Sequence, residues 1–378
     1  MSVNVRSSSK IKKAPAQKDY ESVCGLDALY FYIKVNYLDY SDFFVNHLLR
    51  GHLESDNFVL LNKDYTNQFT YFRYMAEIEK EKNSLPSEGV SPLQEIGRIG
   101  FKNLNEKDNL DSIIVQMNSN ALQQMSINDI IYHFTALLNN FGMTPQKFQL
   151  SRVDLNTYVF DYSFDWLSYD YFSTKSKKVE PKYNGYDLET FYLGSRNNGL
   201  FLRIYDKLKQ LKTLEYSEGN IKEYLIGLKY INKYKNIPKY KNLWNVEIEL
   251  RREQLRIYRI DTLEDLNQNV NSLFKIIFSK SIRLLAEGKK MDSHDNRIPT
   301  HSVWSHIINE YDYNGFPALE LDKEKLKEYK RDRIWLRNRL IEFLDEPKNT
   351  DFYLREKTQE LLDYLDKYPD IQKLFKDN

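Results

Sequence analysis

Residues 189–207 read ETFYLGSRNNGLFLRIYDK. Two apolar and aromatic runs, Phe191-Tyr192-Leu193 and residues 200–205, flank a segment carrying Gly194, Asn197, Asn198 and Gly199, the signature of two short strands joined by a turn. Alternation along the second strand sets Arg203, Tyr205 and Lys207 on one face and Leu202 and Ile204 on the other. A phenol therefore stands between two cations on one side of a hairpin.

That arrangement suits a tyrosine oxygen attacking phosphorus. Flanking cations favour the phenolate and offset the charge of a phosphodiester transition state. A solvated basic strand shows the same alternation, so these residues by themselves leave both readings open.

Two further strands extend the pattern. Residues 148–162, FQLSRVDLNTYVFDY, point Val153 and Leu155 one way and Arg152, Asp154 and Asn156 the other. Residues 244–251, WNVEIELR, set Trp244, Val246, Ile248 and Leu250 inward, with Asn245, Glu247, Glu249 and Arg251 outward. If the three strands are neighbours, Asp154, Tyr205 and Glu247 share one polar floor.

The strings YLGSR, LRIYDK and WNVEIELR resemble the replication initiation factor family of rolling-circle plasmids, phages and integrative elements (Rep_trans). The resemblance is specific over residues 152–251 and thinner upstream. It implies that Tyr205 is the nucleophile of a DNA nicking and joining reaction passing through a 5′-phosphotyrosine, with Arg203 and Lys207 assisting. Arg196, Arg203, Lys207 and Arg251 would contact DNA. It also implies that Asp154 belongs to a metal site. The chemistry calls for a divalent cation on hard oxygen ligands, Mg2+ or Mn2+, and the candidates are Asp154 and Glu247, with Asp27 third and Asp206 a further participant. Parity sets Asp27 with Leu29, Phe31 and Ile33 on an apolar face. The implied partners are origin DNA, duplex and single-stranded, a host helicase and polymerase, and a second copy of the chain as a homodimer.

The chain departs from the family in places. Asn197 and Asn198 replace a lysine and a serine, Asn245 stands where an arginine is common, and Lys209 and Gln210 replace an acid after YDK. A relaxase of an integrative or conjugative element, and a DNA-binding replication regulator without chemistry, remain the alternatives. So does an interaction protein whose basic strand is only a solvated face. Initiators that hold metal with two histidines around one hydrophobic residue are not matched, since none of His47, His52, His133, His294, His301 and His306 pair at that spacing.

The wider sequence is consistent with a soluble two- to three-domain protein. Its 378 residues are 41% hydrophobic and 29% charged, and no apolar run is long enough to cross a bilayer. One cysteine, Cys24, excludes an internal disulfide framework and fits a reducing cytoplasm. The net charge is +1, yet between Arg196 and Arg259 fifteen basic residues face seven acidic ones, a local field suited to nucleic acid.

The fold class expected is α+β, with two β-rich halves of antiparallel sheet flanked by helices and an all-α C-terminal region. A flexible basic arm spans 1–20 and the nicking domain 21–260, its halves dividing near 145, with the helical region over 261–378. Strands are expected at 26–35, 58–61, 69–75 and 112–117, with loop and helix end over 77–100. Helices are expected at 41–49, 126–140, 220–234, from Asp261 to a stop at Gly288, and at 301–310, 323–346 and 351–368. Aromatics and lysines interleave over 162–186, where bases could stack on a single-strand surface or the rings could serve the core.

Overall fold

The computed structural model describes residues 21–36, 58–62, 69–77, 93–102, 112–141, 143–196, 200–213, 242–289, 295–314 and 358–359. In chain order its strands are β1 (Glu21–Asn36), β2 (Phe58–Asn62), β3 (Phe69–Glu77), β4 (Leu93–Lys102), β5 (Ser112–Met117), β6 (Thr144–Phe160), β7 (Phe172–Thr174), β8 (Val179–Asn184), β9 (Asp187–Gly194), β10 (Phe201–Asp206), β11 (Leu243–Arg251) and β12 (Ile282–Leu284). Ten of them form one antiparallel sheet in the order β2-β3-β4-β5-β1-β6-β11-β10-β9-β8. The fold class is α+β.

The two halves meet inside that sheet. Strand β1, longer than its expected 26–35, pairs with β5 on one side and with β6 along nearly its whole length on the other. Long strands with apolar residues at alternate positions bury that row from end to end, and Leu29, Phe31, Ile33, Val153 and Leu155 are fully buried. Each such side chain contributes roughly 1.5–3 kcal/mol.

Helices cover the apolar face. Helix α1 (Ile127–Asn140) opens with a capping box between Ser126 and Asp129, and Ile130, Phe134 and Leu138 are buried. Helix α2 (Leu263–Ile276) opens with a second box between Thr262 and Asp265, so the cap is Thr262 and not Asp261. Both helices pack on β6 and on each other, and α3 (Ser302–Glu310) packs on β1 and α2.

Two local expectations change, and one open reading is decided in part. Residues 93–100, within the stretch whose charge and Pro86 and Pro92 suggest a loop, lie in β4, where two glycines serve close packing. A Cβ at Gly97 would meet the Gln116 carbonyl oxygen at 2.1 Å, and one at Gly100 would meet the Tyr71 ring at 2.7 Å. Helix α2 does not run to Gly288. It continues as a π-turn (Ile277–Ser281) and becomes β12, which pairs with β7, while the Trp304 indole donates to the Phe278 and Ile282 carbonyls and holds that junction. Four aromatics of 162–186 serve the core, since Tyr162, Phe164, Trp166 and Phe172 are buried, Trp166 stacks on His301 and Phe172 stacks on Phe191, whereas Tyr183 and Tyr186 are exposed.

The chain forms two compact units, Met1–Glu320 and Leu321–Asn378, so the boundary expected at 260 falls within the first. The arm at 1–20, the helices at 41–49, 220–234 and 323–346, most of 351–368, and the turn at 197–199 lie outside the described residues. Among the described residues no helix is long and apolar enough to cross a membrane.

Candidate active site on the polar face of the sheet

Strand pairing turns the sequence alternation into a lattice. Across β6, β11, β10 and β9 the register aligns Asn156, Glu247, Arg203 and Tyr192 in one row. The next row holds Tyr158, Asn245, Tyr205 and Thr190, and on the other side Asp154 pairs with Glu249 and Glu249 with Phe201. Asp154, Tyr205 and Glu247 thus share one face, the one opposite the helices.

The floor of this face is buried and polar. Asp154, Asn156, Asn245, Glu247 and Glu249 are each no more than 1% exposed. Buried charge is costly unless paired, and here it is paired. Arg152 grips Asp154 with Nε at 2.7 Å and Nη2 at 2.5 Å, while Arg203 Nη2 donates to Asp154 Oδ2 at 2.7 Å and to Glu247 Oε1. Glu249 takes Arg152, Arg196 and Arg251 at 3.2, 3.2 and 2.8 Å.

Tyr205 is half-buried at the centre. Asn245 Nδ2 donates to its phenol oxygen at 2.8 Å and lies 3.4 Å from Glu247 Oε2, and Asn245 Oδ1 accepts from Asn156 Nδ2 at 3.1 Å. Lys207 Nζ sits 5.8 Å from the Tyr205 ring centre and 6.0 Å from that of Tyr158. Burial, then the charges of Asp27 and Glu247, push the phenol well above the usual range, against the pull of Asn245 and Arg203. Without an added cation the phenol stays protonated.

Asp27 joins this face, which its parity in the sequence does not allow. The β1–β6 register slips between Leu26 and Ala28, opposite Leu155 and Asp154, so Asp27 is the extra residue of a β-bulge. Leu26 and Leu29, three apart, both reach the core, and the carboxyl of Asp27 turns to the polar side. There it lies in the field of Lys207, Asp154, Arg203 and Arg152, and burial raises its affinity for a proton. Glu247 is raised further, by burial and then by Asp27.

The donor set fits a hard divalent cation in its chemistry. Asp27 raises the proton affinity of Glu247, and Asp154 raises that of both, a repulsion that a cation relieves. Asn156 Oδ1 is buried and lacks a hydrogen-bond partner, and it faces Gly25, where a Cβ would come within 3.1 Å of it. Among the described residues no three acidic, histidine or cysteine side chains already close around one point. The Arg203 guanidinium stands between Asp154 and Glu247 instead. Asp206 lies apart, capping the helix Lys207–Thr213 through the Lys209 amide.

No family model and no curated protein matches this chain. A solved structure, that of a rolling circle replication initiator protein from Geobacillus stearothermophilus, is similar with a TM-score of 0.46 at 14% identity, over 77% of this chain and 96% of that one. The likeness is loose, and the chemistry below rests on this chain's own side chains.

Sequence reasoning names Tyr205, Arg203, Lys207, Asp154, Glu247 and Asp27, and all six stand on or beside this floor. Arg196 and Arg251 lie at its rim, half-exposed and joined through Glu249. It misses the structural weight of Arg152, Asn156, Asn245 and Glu249. Alternation already puts them on the polar face, but burial depends on the neighbouring strands.

Proposed function

We propose that this protein nicks and rejoins a DNA strand through Tyr205, as the initiator of rolling-circle replication at an origin. The observation that carries the reading is the phenol of Tyr205, held by Asn245 beside Glu247 and Asp27 on a floor that also carries Arg203 and Lys207. Tyr205 Oη attacks the scissile phosphorus, its proton passes to a carboxylate of the cluster, and the bond to the 3′-oxygen breaks as that oxygen takes up the proton. A 5′-phosphotyrosine and a free 3′-hydroxyl result, and attack by that hydroxyl later restores the strand with no nucleotide cofactor.

Arg203 Nε, buried and without a hydrogen-bond partner, is a donor for a phosphoryl oxygen. Lys207 beside the ring favours the phenolate, and Arg196 and Arg251 at the rim hold the flanking backbone. A bound Mg2+ or Mn2+, held by Asp154, Glu247 and Asp27, would polarise the phosphate and offset charge on the leaving oxygen. Strand separation and extension fall to a partner helicase and polymerase.

One observation favours the second reading, a DNA-binding regulator without chemistry: Arg203 closes over Asp154 and Glu247. The experiment that separates the two uses supercoiled DNA carrying the cognate origin, with Mn2+. The nicking reading expects relaxed DNA and a covalent 5′ adduct, both lost in Tyr205→Phe while binding persists. An adduct on another tyrosine, or binding with no nicking by the wild type, rejects it.

A further inference from the structure

Beside the phenol the same face carries a small aromatic stack. Tyr192 on β9 and Phe201 on β10 lie ring to ring, 5.6 Å between centroids and 7° from parallel, and the Arg196 guanidinium lies 5.2 Å from the centre of the Phe201 ring. Both rings are half-buried. Their register partners are Arg203 and Glu249, which fixes them on the polar face and not among the core aromatics. Tyr205 pairs with Thr190 on β9, so Tyr192 is the diagonal neighbour of the phenol, about 7–8 Å away along the backbone lattice.

We infer that Tyr192, Phe201 and Arg196 form a stacking subsite for a base of the single strand that crosses the site. The inference rests on the nicking reading and names a contact that reading leaves open. A ring pair capped by a guanidinium plane offers a flat, polarisable surface at which any base can extend the stack, and each base so held strengthens binding without selecting sequence. The strand's charge is met at the same place. Arg196 and, on the edge strand β8, Lys182 are half-exposed; the Lys182–Glu180 pair is of the kind that exchanges readily for phosphate, and Glu249 keeps Arg152 and Arg251 when Arg196 turns to the strand. The sequence leaves 162–186 open between a single-strand surface and the core; Tyr162, Phe164, Trp166 and Phe172 are buried, and on the polar face the register sets the Tyr192–Phe201 pair diagonal to Tyr205.

The test uses full-length Tyr205→Phe protein, so that no strand is cut, and measures anisotropy of labelled oligothymidylate and of the same oligomer with abasic sites. Tyr192→Leu and Phe201→Leu each weaken binding of the base-bearing oligomer about tenfold, and the abasic oligomer binds all proteins alike. Tyr192→Phe keeps the affinity. Should Phe201→Leu fail to fold, Tyr192→Leu and Tyr192→Phe carry the test by themselves, since Tyr192 holds no phosphate contact in this reading. Equal losses on both oligomers, or none on either, overturn the stacking subsite while leaving Tyr205 chemistry intact. No binding of either oligomer by any of these proteins removes the subsite and the DNA reading together.

Discussion

Asn245 and Tyr205 face each other across β11 and β10, and one amide hydrogen-bond donor ties the phenol oxygen, at 2.8 Å, to the neighbourhood of Glu247, at 3.4 Å. Asn156 holds the other end of that amide and so fixes which atom faces the phenol. Asn245→Ala removes the donor without touching a charged pair. We expect adduct formation to slow by about 100-fold, the scale of a small misplacement of a reacting group, with DNA affinity unchanged. Single-turnover nicking assays and binding isotherms measure the two quantities separately.

Asp154 is the buried partner of two guanidiniums, Arg152 and Arg203. Asp154→Ala leaves both with less compensation in a site sheltered from water, and the expected loss is about 3–5 kcal/mol of stability. Arg251→Ala, which removes the half-exposed one of three partners of the buried Glu249, should cost clearly less, because Arg152 and Arg196 still pair that carboxylate. Urea denaturation of the two variants reads the contrast, and equal losses would mean that the floor is not sealed.

Addition of Mn2+ or Mg2+ should raise the thermal midpoint of the wild-type protein, because a cation relieves the repulsion among Asp27, Asp154 and Glu247. At a metal concentration one hundred times Kd the gain is about 2.7 kcal/mol. Asp154→Asn should abolish the shift, and an unchanged shift would place the ion elsewhere.

His133 gives a pH dependence of known sign. Burial lowers its proton affinity below the usual value of 6.5, and its Nε2 lies 2.8 Å from the Tyr74 hydroxyl oxygen. A neutral imidazole is thus favoured in the fold. Its contribution is complete above the unfolded value and is lost as pH falls through the lower folded one. His133→Gln should therefore differ from wild type more at pH 8 than at pH 5, a comparison that thermal melts at the two pH values make directly.

Gly97→Ala tests the close approach of β4 to β5. With φ at 152° and a carbonyl 2.1 Å from the added Cβ, the change forces β4 away from β5. The strain alone is worth roughly 1–3 kcal/mol. Hydrogen exchange should show the loss first in the β4–β5 ladder.

Alternation of side chains assigned the polar faces of β6, β10 and β11 correctly, and the capping residues Ser126 and Gly-Asn turn chemistry located a helix start and the hairpin. These are local properties, written within a few residues of where they act. Beyond one strand the same rule fails at the first irregularity. Parity puts Asp27 with the apolar row, and the extra residue opposite Asp154 and Leu155 puts it with the carboxylates. Nothing within β1 announces the bulge, because it arises from the fit between β1 and β6.

By itself, then, the sequence determined the hairpin, the strands that carry Asp154, Tyr205 and Glu247, and the shared face of Arg203 and Tyr205, since period and turn chemistry are properties of neighbouring residues. Only the tertiary structure decided that ten strands join in one sheet, that Asn245 and not a cation touches the phenol, and that Arg203 spans Asp154 and Glu247. Those are matters of register between strands far apart in the chain, and register is set by which partner buries the most apolar surface and leaves the fewest polar groups unpaired.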